Sequence, residues 1–433
     1  GASAILSLAS AGPNGASQTY EFTGNNVSVR THGDGSHGVR ASSSAEGDAT
    51  NSIKIIGQSA TFSTFGEDAT ALSFWANSKS KANNEIAVSS NHSVLSTSGK
   101  NSQAITSIAK GETGSSNSLV LSGHNASVTT SADSAFGFLS LVSDETKAVS
   151  STNISGNNSE IVTRGLHSHG IISMAAGINA TSNLSLTGAG SRITTFGDNA
   201  VGVSLIALGL DYGSSYLSLS GTNASIQTNG DYATGAYLGS SGGTVAANLA
   251  ELTGYNSKVV TAGDYSTGIT FAGASSTLRV SGVNAGVFTS GLGSHAVLSD
   301  TERSEFEIGK QSKVEAIGPD SDGLYIKQQQ AKSTIKNYGH VSGQRNGVNS
   351  HGSISAMNTG SIIGNADAGV SFDNGHIYNT GRIQGPSAIL AKQLLGGAVV
   401  IDTPGEISSS NGPSAIAIDL QGNGNDQLIV SPY

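Results

Sequence analysis

The sequence predicts an all-β solenoid built from coils of three short parallel strands. Three observations carry this prediction: a turn-and-strand signature that recurs at a nearly constant spacing, period-two alternation of apolar residues, and a composition of small side chains. Of 433 residues, 58 are Gly, 6 are Pro and none is Cys, and only 12% are charged. An ordinary globular chain has about 25% charged residues. A repeated unit of small residues predicts stacked coils instead of one large core.

The repeated signature is a Gly-rich turn followed by a short strand. It reads GDGSHGV from Gly33 and GDNAVGV from Gly197, and its copies follow at 32 to 34 residues as far as Gly263. Beyond that point the steps shorten to between 21 and 28 residues. We therefore predict about 14 repeats in a single continuous solenoid. Residues 1–290 form coils of about 33 residues with lateral loops, and residues 291–433 form coils of 21–28 residues.

A second block inside each period supplies the other two strands. SLVLSGHNASVTT (118–130) and YLSLSGTNASIQT (216–228) each contain two alternating runs joined by a Gly/Asn corner. Alternation at period two indicates that one face of each strand is buried. Asn at a corner tolerates the left-handed backbone conformation, and small inward residues fit a narrow interior. Three strands and three corners then close one triangular coil.

The longer coils contain an additional stretch that the shorter coils lack. Examples are NSKSKANN (77–84), KGETGSSN (110–117), VSDETKAVSS (142–151) and LGLDYGSS (208–215). Because these stretches take one position per coil, we predict a row of lateral loops along one edge. Insertions on repeat proteins often collect on the binding face, although they also occur there without a role.

This loop row is the first predicted ligand-binding surface. Tyr232 and Tyr265 occupy equivalent turn positions one coil apart and are expected to be neighbours. Polar loops that contain occasional aromatic residues suit the binding of an extended glycan or peptide. The predicted ligand-binding residues of the row are Lys79, Lys81, Lys110, Asp144, Lys147, Asp211, Tyr212, Tyr232 and Tyr265.

The second predicted binding surface is a basic patch between Asp322 and Asp367, a segment with no other acidic residue. Its four cations are Lys327, Lys332, Lys336 and Arg345. Residues about one coil apart stack on a solenoid, so these cations are expected to cluster on a chain whose net charge is −9. Clustered Lys and Arg attract anionic chains such as sulfated polysaccharides. The alternative is a solvated edge with scattered cations.

Motifs for catalysis and metal binding are weak. GSSGG (239–243) fits the G-x-S-x-G pattern, but one such match is expected by chance in a chain this rich in Gly and Ser. GNGNDQLIV (422–430) matches one calcium-binding nonapeptide, whereas such sites need two stacked units. His37, His167, His169 and His295 lie in similar turns that are widely spaced between coils, and they are expected to be solvated turn residues without carboxylate partners for a metal. We expect no catalytic residue, no metal site and no cofactor.

Acidic turn residues form a row that could bind calcium or act as acid and base. The simpler interpretation is that Asp caps a tight turn through its own side chain. The row contains Asp34, Asp68, Asp133, Asp198, Asp231, Asp264, Asp320 and Asp367.

Charge and hydropathy exclude several classes. A net charge of −9 and a pI near 5.5 disfavour nucleic acid as a partner. No apolar run approaches the roughly 20 residues that a membrane-spanning helix needs. The first residues, GASAILSLAS, carry no basic segment and are expected to be a mature N-terminus or the start of an expressed fragment.

The turns and the tail resemble the passenger domain of a Gram-negative autotransporter of the classical monomeric type (type V). The residues that carry the resemblance are GDxAxG turns such as GDYATGA from Gly230, and the tail AIAIDLQGNGNDQLIV (415–430). That tail is similar to the D-GxGND-L-L segment that often precedes the translocation barrel. The resemblance implies a right-handed parallel β-helix that is displayed on the bacterial outer membrane or secreted. Membrane contact is expected only through a C-terminal barrel outside this sequence.

Within that family, the sequence lacks the GDSGS motif of protease passengers and the GDSL block of lipase passengers. We therefore predict a non-enzymatic adhesin. Its expected partners are host extracellular-matrix glycans, glycosaminoglycans among them, or glycoproteins such as fibronectin. Three alternatives stay open: a self-associating aggregation or biofilm factor, a glycan lyase or hydrolase, and a secreted effector that binds a host receptor.

Overall fold

The computed structural model describes residues 3–243, 245–327, 332–393, 397–412, 416–422 and 425–430. Every regular element in these ranges is a β-strand, and each strand pairs in parallel with its equivalent one coil away, as β-helix coils do. The predicted all-β fold, a right-handed parallel β-helix of three-strand coils, is confirmed. The same ranges contain no helix of the length and hydropathy that crossing a membrane requires. The last signature copy, from Gly412, and the tail fall partly outside the described residues.

The chain forms two compact units, Gly1–Ala246 and Ala247–Tyr433, called unit 1 and unit 2 below. The change of coil type predicted at residue 290 stays a prediction. The strands of unit 1 are β1 (Ile5–Ala11), β2 (Ala16–Asn25), β3 (Ser28–Thr31), β4 (Val39–Ala45), β5 (Ala49–Gln58), β6 (Thr61–Thr64), β7 (Leu72–Ser78), β8 (Ala82–Val88), β9 (Val94–Thr97), β10 (Ile105–Gly111), β11 (Ser115–Leu121), β12 (Ser127–Thr130), β13 (Phe138–Asp144), β14 (Lys147–Ile154), β15 (Glu160–Thr163), β16 (Ile171–Leu186), β17 (Arg192–Thr195), β18 (Val203–Leu219), β19 (Ser225–Thr228) and β20 (Ala236–Ser241).

A further strand, β21 (Val245–Leu252), includes the boundary between the units. The strands of unit 2 are β22 (Lys258–Thr261), β23 (Ile269–Val280), β24 (Gly286–Thr289), β25 (Val297–Ile308), β26 (Lys313–Ala316), β27 (Leu324–Ile326), β28 (Ser333–Asn337), β29 (His340–Gly343), β30 (Val348–Ser350), β31 (Ser353–Asn358), β32 (Ser361–Gly364), β33 (Ala368–Phe372), β34 (Asn374–Asn379), β35 (Arg382–Gly385), β36 (Ser387–Ala391), β37 (Val399–Asp402), β38 (Glu406–Ser409), β39 (Ile418–Leu420) and β40 (Gln427–Ile429).

Each coil has three faces. In unit 1, face 1 contains β1, β4, β7, β10, β13, β20 and the first parts of β16 and β18. Face 2 contains β2, β5, β8, β11, β14 and the second parts of β16 and β18. Face 3 contains the four-residue strands β3, β6, β9, β12, β15, β17 and β19. In unit 2 the corresponding face 3 strands are β22, β24, β26, β29, β32, β35 and β38.

The structure corrects the predicted lateral loops. Residues 77–84 are the end of β7, a three-residue corner and the start of β8, and residues 208–215 lie inside β18. The extra length of the longer coils is therefore mostly strand: β10 and β11 have seven residues each, whereas β27 and β30 have three. The polar stretches form strands because each residue pairs in register with its equivalent in the coils above and below, as β11 does with β8 and β14.

The interior of unit 1 narrows between faces 1 and 2, where small side chains stack. This cluster contains Ala49, Ala76, Ala82, Ala109, Val142, Ala148, Ala175, Ala180 and Ala207. Beside it runs a ladder of buried amides. Asn84 accepts a hydrogen bond from Asn51 Nδ2 at 2.8 Å, and its own Nδ2 donates to Asn117 Oδ1 at 3.0 Å. The ladder satisfies side chains whose burial would otherwise be costly.

Close packing between coils requires the Gly that opens several of the turn signatures. A Cβ on Gly99 would lie 1.8 Å from the carbonyl oxygen of Gly66, and one on Gly197 would lie 1.6 Å from that of Gly165. The left-handed position is instead the third residue of the turn, where φ is 52° at Asp68 and 54° at Tyr232. Sequence reasoning did not anticipate an aromatic residue in that conformation.

Turn side chains connect each coil to the next one. Asp34 Oδ1 accepts the backbone N–H of Glu67 at 3.0 Å, and three further turn carboxylates bond the next coil in the same way: Asp133, Asp198 and Asp264. These four carboxylates therefore bond the following coil, which the expectation of own-turn capping did not include. His169 Nδ1 accepts the N–H of Val201 at 2.8 Å, and His37 and His295 make the equivalent bond to later coils.

The His169 bond makes the stability of unit 1 sensitive to acid. Burial, followed by the nearby His167, lowers the pKa of His169 to about 4 from an ordinary 6.5. The neutral ring therefore stabilises the fold above pH 6.5, and this contribution is lost as the pH falls from 6.5 toward 4, where the unfolded chain binds the proton first. The full shift corresponds to about 3 kcal/mol.

The variant His169→Asn tests this expectation, because Asn346 Oδ1 accepts the equivalent N–H, from Ala368, in unit 2. Between pH 7 and pH 4.5, the urea midpoint of the wild type should fall further than that of the variant. If the urea midpoints of the two proteins fell equally over this pH range, the expectation for His169 would be wrong.

Candidate functional site

A polar groove, called the axial groove below, crosses five coils of unit 1 at the corner between faces 1 and 2. Its volume is about 680 Å³. The floor consists of Ala11, Ala45, Ser78, Gly111 and Asp144. One wall consists of Ser10, Ser44, Asn77, Lys110 and Ser143, and the other of Glu46, Lys79, Glu112 and Glu145.

The strand register generates the groove. Lys110 pairs with Asn77 on one side and with Ser143 on the other, so one wall residue recurs in each coil at about 4.8 Å intervals. Close packing around the floor requires Gly at position 111. A Cβ on Gly111 would lie 2.2 Å from Ser115 Oγ and 2.6 Å from the carbonyl oxygen of Ser80. The groove is therefore a regular surface that offers one polar group per coil, on one wall in five coils and on the other wall in four.

Both signs of charge are present in the groove, with acids in excess. Lys79 Nζ lies 3.5 Å from Glu46 Oε1, and both side chains are largely exposed. Such a surface pair contributes at most about 1 kcal/mol, so a ligand can replace either partner. Among the described residues, Lys110, Glu112 and Glu145 form no salt bridge, which leaves these groups available to a ligand.

Asp144 is fully engaged inside the protein. Its Oδ2 accepts the N–H of Gly114 at 2.9 Å and the Ser115 hydroxyl at 2.7 Å. Its Oδ1 accepts the N–H groups of Thr146 and Lys147, both at 2.8 Å, and the Thr146 hydroxyl at 3.0 Å. Burial would raise the pKa of this carboxyl, but these hydrogen bonds outweigh burial and lower it. Asp144 therefore shapes the floor by joining two coils.

A second cavity of about 400 Å³, called the lysine notch below, lies on the face 2 side of the same corner. It is lined by Lys81, Lys147 and Gly114 together with Thr113, Ser115, Ser116 and Val149. The register places Gly114 between the two lysines, which are two coils or about 10 Å apart. A Cβ on Gly114 would meet no heavy atom within 4 Å, so the space is open. Two cations beside such a space suit an anionic group.

The structure divides the predicted loop row among several places. Lys79, Lys110 and Asp144 line the axial groove, and Lys81 and Lys147 line the lysine notch. Asp211 and Tyr212 lie further along, inside β18. Tyr232 lies on the turn between face 3 and face 1 in unit 1, and Tyr265 belongs to unit 2, so their expected proximity stays a prediction.

The structure pairs two of the four cations in the predicted basic patch. Lys336 Nζ lies 3.2 Å from Glu305 Oε1, and Arg345 Nε donates to Asp322 Oδ1 at 2.9 Å. Both acids come from the preceding coil, so a segment free of acids in sequence is not free of them in space. Lys327 and Lys332 flank residues 328–331, which lie outside the described ranges.

An outward apolar column on face 1 of unit 1 was missed by sequence reasoning. Its members are in register: Trp75, Ile108, Leu141, Met174 and Ile206. Trp75 is 50% exposed and is the only Trp of the chain. In β10 the small Ser107 and Ala109 on either side of Ile108 face inward, as does Ile105, and a one-residue change of register exchanges the faces. The column lies beside the axial groove wall that contains Asn77.

The described residues contain no group of three or more His, Cys, Asp or Glu side chains placed to hold a metal ion. No known family model matches the chain, and no curated protein sequence matches it. Among solved structures, the chain is similar to the cryo-EM structure of the Vag8–C1 inhibitor complex, with a TM-score of 0.49 and 17% identity. The alignment covers 95% of this chain and 99% of that chain.

Proposed function

We propose that this chain is the passenger domain of an autotransporter and acts as a non-enzymatic adhesin, displayed on the bacterial surface or secreted. The β-helical coils, the Gly-Asp turns and the D-GxGND-L-L type of tail support the family assignment. The axial groove carries the binding function: it presents one polar group per coil on one wall in five coils and on the other wall in four, which suits an extended polymer. The proposed partners are host extracellular-matrix glycans or glycoproteins.

Binding would rest on many weak polar contacts, because the groove and the lysine notch are open and polar. Multiple copies on one cell would raise the apparent affinity through avidity. Glycosaminoglycans would bind at the lysine notch, where two ammonium groups face an open space. Contacts of this exposed kind weaken as salt screens them.

The test is an array of sulfated glycans, unsulfated glycans and matrix proteins, probed with the purified chain at two salt concentrations. We expect saturable binding to matrix ligands. Binding of sulfated glycans should fall at least tenfold in the double variant Lys81→Glu/Lys147→Glu, and should be unchanged in Lys100→Glu, an exposed lysine of a face 3 turn in the same unit. Loss in Lys327→Glu/Lys332→Glu instead would place the sulfated ligand on the basic patch.

Two results would overturn the proposal. Absence of binding to every matrix ligand on the array would remove the adhesin function and favour self-association or a single receptor. Release of reducing ends from any bound glycan would contradict the non-enzymatic part of the proposal.

A further inference from the structure

We propose that the axial groove binds a neutral, unsulfated glycan lengthwise, with Trp75 as a stacking surface at its side. This inference rests on the proposed function and narrows the ligand class of one site. The juxtaposition that carries it is a repeated polar wall, an excess of carboxylates and an exposed indole on the same face of unit 1.

The spacing of the wall favours a lengthwise polymer. Ser10, Ser44, Asn77 and Ser143 each offer hydroxyl or amide groups, one residue per coil, at about 4.8 Å intervals. A linear glycan presents hydroxyl groups along its length at a similar interval. One sugar per coil then places about four or five sugars in the groove.

The charges favour a neutral ligand over a sulfated one. The second wall carries Glu46, Glu112 and Glu145, and the ammonium group of Lys79 already lies beside Glu46. Lys110 on the opposite wall is the remaining cation of the groove lining. Carboxylates accept hydrogen bonds from hydroxyl groups but repel sulfate, and an ammonium group donates to hydroxyl oxygens. A polyhydroxylated chain without charge satisfies both kinds of group.

The pairing of the strands favours a glycan over a peptide. An extended peptide gains much of its affinity by adding a strand to a free sheet edge. Beside the groove, β4 pairs with both β1 and β7, and β7 pairs with β4 and β10. These strands offer no free backbone edge, so a ligand there must bind side chains.

Trp75 supplies the apolar part of the site. It lies two residues before Asn77 on the same outward face of β7, so the indole is about 7 Å from the wall. Half of its surface is exposed. Pyranose rings have faces made of C–H groups, and these pack on the negative face of an aromatic ring. Ile108 extends the apolar surface into the next coil.

The experiment titrates the full chain with neutral hexasaccharides, β-1,4-linked and α-1,4-linked, and with a heparin hexasaccharide. Trp75 fluorescence reports the site directly because the chain has no other Trp, and calorimetry measures affinity independently of emission. We expect at least one neutral hexasaccharide to bind saturably and shift the Trp75 emission, with little dependence on salt. The heparin fragment should leave the emission unchanged.

Three variants sharpen the test. Asn77→Ala should weaken neutral binding at least fivefold, whereas Ser73→Ala, on the same face of β7 but away from the groove, should not. Glu112→Gln/Glu145→Gln should keep neutral binding and allow the heparin fragment to shift Trp75, since the repelling charges are gone. Asn77, Glu112 and Glu145 are exposed and Ser73 is half-buried on the outward face, so a folding defect is not expected.

The outcomes separate this inference from the function on which it rests. Binding to matrix ligands on the array without any calorimetric response to neutral hexasaccharides would overturn the inference and leave the adhesin function standing. Binding of an unstructured peptide in the groove, with the same emission shift and the same loss in Asn77→Ala, would replace the glycan by a peptide. Failure on the array and in the titrations would overturn both.

Discussion

Gly197→Ala is expected to be among the most destabilising single substitutions in unit 1. The added Cβ would lie 1.6 Å from the carbonyl oxygen of Gly165, and a backbone atom cannot rotate away. Overpacking with side-chain relaxation costs about 1–3 kcal/mol, so a backbone collision should cost at least about 3 kcal/mol. Urea unfolding would measure the loss, and hydrogen exchange would locate it in the coils next to residue 197, since coils contact mainly their neighbours.

Gly12→Ala is the matched control in the same unit. A Cβ on Gly12 would meet no heavy atom within 4 Å. The unfolded chain loses entropy with this substitution, so its effect should stay within about 1 kcal/mol. Equal midpoints for the two Ala variants would show that the close approach of the coils is not a constraint.

Asp322→Ala should have the largest effect in unit 2. The Asp322 side chain is fully buried and accepts hydrogen bonds from Arg345 Nε at 2.9 Å, from Arg345 Nη2, and from Asn346 and Asn349. Burial would raise the pKa of this carboxyl, but these bonds outweigh it and hold the pKa low. Removing one partner of a buried ion pair costs about 3–5 kcal/mol because the other charge loses its compensation.

The control is Glu305→Gln, which removes the exposed ion pair with Lys336 in the same unit. Exposed pairs contribute about 0–1 kcal/mol, so the unfolding midpoint should hardly move. If both substitutions lowered the midpoint equally, burial of Asp322 would not be the source of its effect.

The coils could be predicted because each structural repeat has a matching repeat in the sequence. Signature glycines such as Gly99 and Gly197 report a close approach between coils, and each alternating run reports a strand with one buried face. The strands of 77–84 escaped because Ser, Lys and Asn occur there without a hydrophobic contrast. Those of 208–215 escaped because the alternating Leu208, Leu210 and Tyr212 face outward, so no buried apolar face marks a strand. These strands form because they pair with the coils above and below. The strand propensity of a single stretch does not reveal that pairing.

The candidate site was predictable only in part. Lys79 and Lys110 were recognised because they lie in stretches that recur once per coil, and the structure places both in the axial groove, on opposite walls. The ion pairs of Lys336 and Arg345 in the basic patch were not predicted, because their acidic partners, Glu305 and Asp322, lie one coil earlier in the chain. Trp75 was missed because its strand carries large apolar residues on both faces: Leu72 and Phe74 are buried, and Trp75 points outward. The register of a strand decides which of its residues face outward, and the register is fixed only when the coils stack.

The coil-to-coil bonds have a consequence for the length of the protein. The acceptors on Asp34, Asp133 and His169 each bind the coil that follows, at an offset of one repeat. Removing one whole repeat from unit 1 would bring equivalent partners together again, whereas removing a part of one would misalign every ladder beyond the cut. The number of coils can thus change by whole repeats. The axial groove would then become longer or shorter by about one sugar for each coil.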